Sequence, residues 1–182
     1  MIPSLSSGVA EKMTARSPDL ATLMDAALRA TPDPSRGLPD EVFGFLLKVT
    51  PMISVDLLVR NDRGEHLLAW REDEHGRGWH IPGGIIRHNE PIAARIAAVA
   101  KTELAATVRH GEQPDDVRQI FYPRGHFIAL LFLCRLDSAV SDPALWHSDG
   151  SPRHGQIKWL RGVPADVYSV HGAYKDWLDG RQ

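Results

Sequence analysis

One carboxylate is conspicuous for the company it keeps. In WHIPGGIIRHNEPIAARIAAVAKTELAA (residues 79–106) the second half has helical spacing, and at about 100° per residue Ile92, Ile96 and Val99 share one face. Ala93, Ala97, Ala100 and Leu104 fall on the face beside it, so the two make one broad apolar arc. Glu90, Arg95, Lys101 and Thr102 lie outside that arc, whereas Glu103 lies inside it, one turn below Val99. A carboxylate among core-facing residues needs a metal ion, an arginine or a set of N–H donors, unless it reaches water from the helix end. Gly83 and Gly84 come just before this helix. Two adjacent glycines make a tight turn or a point where backbone approaches a bound group closely. Asp56 is a second misplaced acid, in the middle of the alternating run ISVDLLVR. An acid has poor strand propensity, so Asp56 is either a solvated edge residue or a functional one. Nine histidines supply candidate bases near neutral pH, among them His154 in a turn-rich loop, where a histidine is ordinarily solvated surface.

The elements that must hold these groups follow from patterning. Residues 17–30 have the spacing of an amphipathic helix capped by Ser17, TPDPSRG is a Pro-rich connector, and a second helix is expected over 39–48. Ile53, Val55, Leu57 and Val59 alternate with Ser54, Asp56, Leu58 and Arg60; NDRG is a turn, and HLLAWR returns as the partner strand. Asn89 is the expected N-cap of the central helix, with Pro91 in its first turn, where a missing N–H does no harm. Two further strands are expected over 117–122 and 126–136, then a long turn-rich loop, the strand QIKWL and a closing helix over 164–179. That order implies an α+β domain with a mixed β-sheet sandwiched between helices, over residues 38–182, behind an extension of residues 1–37.

Composition narrows the function. With 21 basic and 23 acidic residues the net charge is −2, so no global field favours nucleic acid or an anionic membrane, and phosphate binding must come from a local cluster. The single cysteine, Cys134, lies in FIALLFLC and reads as core; that run is too short to span a bilayer. The N-terminus has no positively flanked apolar segment, so a cytoplasmic protein is expected.

Gly84, Glu90, Ala100, Glu103 and Ala106 resemble the Nudix box, G-x5-E-x7-REUxEExGU with U aliphatic. Ala98, Val99, Thr102 and Ala105 stand where that pattern has Arg, Glu, Glu and Gly. A narrower resemblance covers residues 38–175. TPMISVDLLVRNDRGEHLLAWRE, GWHIPGG, TELA, HFIALLF, RHGQIKWL and VHGAYKDW look like segments of the GDP-mannose mannosyl hydrolase branch of the Nudix family. The resemblance implies a hydrolase of a nucleoside diphosphate sugar, in which water attacks the anomeric carbon and nucleoside diphosphate leaves. It implies Mg²⁺ or Mn²⁺ held by the Gly83 carbonyl and Glu103, His154 as general base, and Arg71 assisting the leaving group. Asp56 would lie in the substrate pocket. Ile85 and Ala98 replace two phosphate-holding arginines, for which Arg87 and Arg95 are the substitutes. His126 stands in for a pocket histidine on a shortened loop, and Arg153, at the position of a side-chain metal ligand, would either repel Mg²⁺ or itself take the ion's place against the diphosphate. Trp79 is assigned to the core. The branch associates through its N-terminal elements, which implies a homodimer. A P–O cleaving pyrophosphatase and a metal-free nucleotide-binding module are the alternatives.

Overall fold

The computed structural model describes residues 19–180. The chain divides into two compact units, Met1–Pro32 and Asp33–Gln182. The described part of the first carries α1 (Leu20–Ala30), which begins at Asp19, whose side chain accepts the Thr22 N–H at 2.8 Å. The cap expected at Ser17 lies outside the described residues.

In the second unit α2 (Asp40–Val49) starts after Pro39 with Asp40 and Glu41 in its first turn, where acids oppose the positive end of the helix dipole. There follow β1 (Met52–Arg60), β2 (His66–Asp73), β3 (Gly76–His80) and β4 (Gly83–Ile85). The central helix, α3 (Ile92–Leu104), leads to β5 (Val108–Arg109), β6 (Asp116–Tyr122), β7 (Gly125–Leu136), β8 (Ile157–Leu160) and the short α4 (Lys175–Leu178).

These strands form one mixed sheet. One edge of β1 runs parallel to β7 from Met52↔Phe127 to Val59↔Cys134. Its other edge is shared: β2 pairs only at Val59↔Leu67 and Arg60↔His66, and β4 takes the stretch Ser54 to Asp56. Beyond His66 and Leu67, β2 leaves β1 and continues against β3, from Ala69↔His80 to Asp73↔Gly76. The sheet is therefore split between β1 and β2, and the chain crosses the split at Ile81 and Pro82.

Both faces of the sheet are covered. Ile96, Val99, Ala100 and Leu104 of α3 pack on Val55, Leu57, Val59, Leu67, Phe132 and Cys134. Each large side chain buried in this way contributes roughly 1.5–3 kcal/mol. On the opposite face Leu58, Leu68, Trp70, Trp79 and Leu131 pack with Tyr174 and Leu178. Trp79 and Cys134 are core residues, at 6% and 1% exposure.

Two expectations change. Asn89 does not cap α3: it adopts φ 55°, and Pro91 occupies the N-cap with no side-chain bond. The reason lies next door, where Glu90 accepts the Arg87 N–H at 2.9 Å and folds the chain into the helix. The closing helix is also much shorter than residues 164–179. Trp79 donates its N–H to the Asp166 carbonyl at 2.7 Å and accepts the Tyr168 N–H at 2.8 Å, so this stretch lines the free edge of β3. Only a 3-10 segment, Ser169–Tyr174, and α4 remain helical. Strand pairing overrides local helical spacing there. The two-residue β5 had no signal in the sequence.

Candidate functional site

The split between β1 and β2 opens into a cavity of about 660 Å³. Asp56 of β1, the 81–88 segment, Tyr168 and His171 line its inner part, and Phe43, Leu46, Ile120 and Phe127 give it an apolar wall. Its polar lining is mostly arginine and histidine. Arg71, Arg87, Arg95 and Arg124 line it together with His75, His80, His88 and His171, against a single acid, Asp56.

Strand pairing explains how Glu103 reaches this place. The bonds Leu57 N–H to Pro82 O (2.8 Å) and Ile86 N–H to Ile53 O (2.9 Å) bracket the Asp56↔Gly83 pair. Gly83 is thus in a non-hydrogen-bonded pair, and its N–H and C=O both turn away from β1. The N–H meets Glu103 Oε1 at 3.4 Å. The other carboxylate oxygen, Oε2, lies 2.9 Å from His80 Nε2, and His80 Nδ1 lies 2.7 Å from the Ala69 carbonyl. The ring thus bridges the Ala69 carbonyl and the Glu103 carboxyl group. Glu103, with its side chain 28% exposed, therefore satisfies the demand of its apolar arc through a histidine and a backbone N–H. The sequence reading missed His80; its signal was the register that sets it beside Ala69 at the end of β3.

The two glycines are required by close approach. A Cβ on Gly83 would run into Asp56 Oδ1 and stand 2.8 Å from the Val55 carbonyl, and one on Gly84 would stand 3.0 Å from Val99 Cγ2. Gly83→Ala is expected to destabilise the fold by about 1–3 kcal/mol, read as a lower thermal midpoint, because the backbone oxygen cannot give way.

Asp56 is 7% exposed, which removes the solvated-edge reading. Its Oδ2 accepts the Tyr174 hydroxyl at 2.6 Å. Burial pushes its carboxyl up to about 6, and the Tyr174 hydrogen bond and nearby His80 only partly offset this. Burial likewise raises the Tyr174 hydroxyl. His171 accepts the Ile81 N–H at Nδ1, 3.2 Å away. Burial, then His80 and Arg71, hold His171 well below the usual histidine range, so it is a neutral ring.

The arginines are anchored at the rim. Arg95 donates to Glu90 Oε2 through Nε (2.8 Å) and a terminal nitrogen (2.7 Å). Burial alone would raise Glu90, but the Arg87 N–H and Arg95 hold it below the usual carboxylate range. Arg71 pairs with Asp73 at 3.0 Å and lies over the Tyr168 ring at 5.6 Å, while Tyr168 donates to Asp73 Oδ1 at 2.8 Å.

Of the residues singled out from the sequence, Asp56, Arg71, Gly83 and Arg87 line the cavity, and Glu103 stands behind Gly83. His154, Arg153 and His126 are not among the lining residues. His154 is exposed in the turn before β8, where its Nδ1 accepts the Glu72 N–H at 3.2 Å. Arg153 is exposed beside it, its N–H donated to Gln156 Oε1 at 2.9 Å. His126 stacks on Phe121 at 4.6 Å and lies 3.0 Å from the Gln119 amide. Among the described residues no group of three or more His, Cys, Asp and Glu side chains is placed to hold a metal, and no helix is long and apolar enough to cross a membrane.

A mixed sheet covered by helices is a fold shared with solved MutT and Nudix proteins. The MutT protein from Methanosarcina mazei Go1 matches with a TM-score of 0.53 at 22% identity, over 71% of this chain and 94% of that one. The MutT Nudix hydrolase from Burkholderia pseudomallei matches with 0.53 at 19% identity, over 68% and 95%. No family model matches the sequence. The low-salt glycan biosynthesis protein Agl8 of Haloferax volcanii is 32% identical over 156 residues, which are 80% of this chain and 94% of that protein. The chain belongs to the same family as Agl8.

Proposed function

We propose that the protein is a Nudix-type hydrolase of a nucleoside diphosphate sugar, GDP-mannose or a close analogue. The observation that carries this reading is the arginine lining of the cavity: four arginines border it with one buried acid, Arg71 and Arg95 being held in place by Asp73 and Glu90. Guanidinium groups match phosphate oxygens in geometry as well as charge, so a diphosphate is the natural guest. The kinship with a glycan biosynthesis protein supports a sugar on that diphosphate.

The donor set suits Mg²⁺. That ion is held through one or two carboxylates, with waters and substrate phosphates completing its shell. The Gly83 carbonyl and Glu103 would hold it, since the Gly83 N–H and C=O point to the edge where Glu103 lies. When bound, the ion would neutralise charge growing on the leaving diphosphate. Arg71 and Arg87, which line the cavity, would hold the phosphates, and His80 orients Glu103. His154 would take the proton from water at Nδ1, the ring nitrogen that accepts the Glu72 N–H next to Arg71 in this structure and would exchange that bond for the water; the ring's own hydrogen sits on Nε2.

The test is product analysis over a panel of nucleoside diphosphate sugars, with and without Mg²⁺. GDP and free mannose support the reading. GMP and mannose 1-phosphate show attack at phosphorus instead, and no product with any sugar nucleotide overturns hydrolysis. His154→Ala is expected to lower kcat about 10²–10⁴-fold with the melting curve unchanged; equal turnover would remove it as base. The second reading, a binding module without turnover, is favoured by Ala98, Val99, Thr102 and Arg153, which stand where the family pattern has charged or metal-holding side chains. It is distinguished by a nucleotide that raises the melting temperature without Mg²⁺ while no product forms.

A further inference from the structure

One donor at the floor of the cavity has no use so far. His171 is 7% exposed and lines the cavity, beside the rings of His80 (5.7 Å between centroids), Tyr174 (5.9 Å) and Tyr168 (6.3 Å). Its Nδ1 is an acceptor, because a backbone N–H points at it. A neutral imidazole has one hydrogen, so that hydrogen must sit on Nε2. The ring is fixed in one tautomer by the main chain, and its donating nitrogen has no protein partner in the cavity wall. It is not among the buried side-chain atoms left without a partner, which are His66 Nδ1 and Trp70 Nε1 among the described residues, so it is open to whatever occupies the cavity.

Asp56 lies on the same floor, linked through Tyr174, whose ring neighbours His171 and whose hydroxyl bonds Asp56 Oδ2. Of the two Asp56 oxygens, Oδ2 is thus engaged and Oδ1 is pressed against the Gly83 backbone. Little carboxylate remains open, enough for one further hydrogen bond. A guanine edge would ask for two carboxylate oxygens side by side, for its ring N–H and its amino group. A single sugar hydroxyl asks for one acceptor and one donor, which are what the floor presents. The small Ala129 and the Ile81 side chain beside them leave apolar surface for the C–H face of a sugar ring.

We propose that His171 is a specificity-determining residue: its Nε2–H donates to a hydroxyl oxygen of the sugar while Asp56 accepts that hydroxyl's hydrogen. This inference rests on the nucleotide-sugar reading of the cavity. It is tested with two variants that dissect the ring. Asparagine places an acceptor near the position of Nδ1, so His171→Asn keeps a partner for the Ile81 N–H and removes the donor. Glutamine extends to the position of Nε2, so His171→Gln restores the donor.

Affinities for GDP-mannose and for GDP are measured by calorimetry, with Ca²⁺ in place of Mg²⁺ to hold back turnover. In the wild type GDP-mannose should bind more tightly than GDP. His171→Asn should lower that ratio about three- to tenfold while GDP binding is unchanged, and His171→Gln should recover part of it. A wild type that binds neither ligand overturns the nucleotide-sugar reading, and this inference with it. A wild type that binds GDP and GDP-mannose equally, a ratio unchanged in His171→Asn, or an equal loss for both ligands overturns the His171 assignment alone. A melting curve of each variant identifies a folding defect; if asparagine unfolds the chain, a wild-type GDP-mannose preference reproduced by His171→Gln sustains the assignment and its absence overturns it.

Discussion

Replacing Glu103 with glutamine is expected to lower hydrolysis of nucleoside diphosphate sugars by about 10²–10³-fold while leaving the fold intact. The amide keeps an acceptor oxygen for His80 or the Gly83 N–H, so the packing of α3 on the sheet is preserved. What is lost is the negative charge that would hold Mg²⁺ against the diphosphate. The measurement is turnover against Mg²⁺ concentration, with a melting curve as the control for folding. A flat Mg²⁺ response in the wild type, or a variant as active as the wild type, removes Glu103 from the reaction.

Asp56→Asn is expected to stabilise the metal-free protein at pH 8 by about 3 kcal/mol, roughly 6–12 °C in melting temperature for a chain of this size. The sign follows from the direction of the shift. Burial raises this carboxyl from 3.8 to about 6, so the folded state holds the proton more tightly than the unfolded state does. The stabilisation from the neutral form is complete below pH 3.8, fades as pH rises to about 6, and is absent above it. Asparagine keeps an acceptor for the Tyr174 hydroxyl and carries no charge at any pH. Melting curves in EDTA should therefore separate at pH 8 and converge near pH 4. A variant that melts below the wild type at pH 8 contradicts the account. The same substitution should weaken sugar-nucleotide binding, so the native carboxylate is kept at the expense of stability.

Much of the frame was legible because it depends on short periods. The alternation in ISVDLLVR gave β1, NDRG gave the first hairpin, and the apolar arc of α3 put Glu103 facing inward. The oddity of Asp56 in a strand left a solvated edge residue and a functional one both open, and its burial in the cavity wall removes the first. What could not be read were contacts between residues far apart in sequence. His80 meets Glu103 only because β3 pairs with β2, and Tyr174 meets Asp56 across the whole length of the domain. His171 acquires a single tautomer from a backbone N–H that sits on a different element. The expected closing helix failed for the same reason, since the free edge of β3 competes for residues 166–168. Asn89 was a plausible cap by type, but Glu90 bonding backward to Arg87 set the entry of the helix instead.

The parting of β1 from β2 has one more implication. The hollow between them is framed by ladders of main-chain bonds, to β4 and β7 on one side and to β3 and β8 on the other. Its outline is therefore indifferent to which side chains decorate it. Side chains mounted on that frame, such as Arg71, Arg87 and His171, can vary while the mould keeps its shape and the molecule it fits changes.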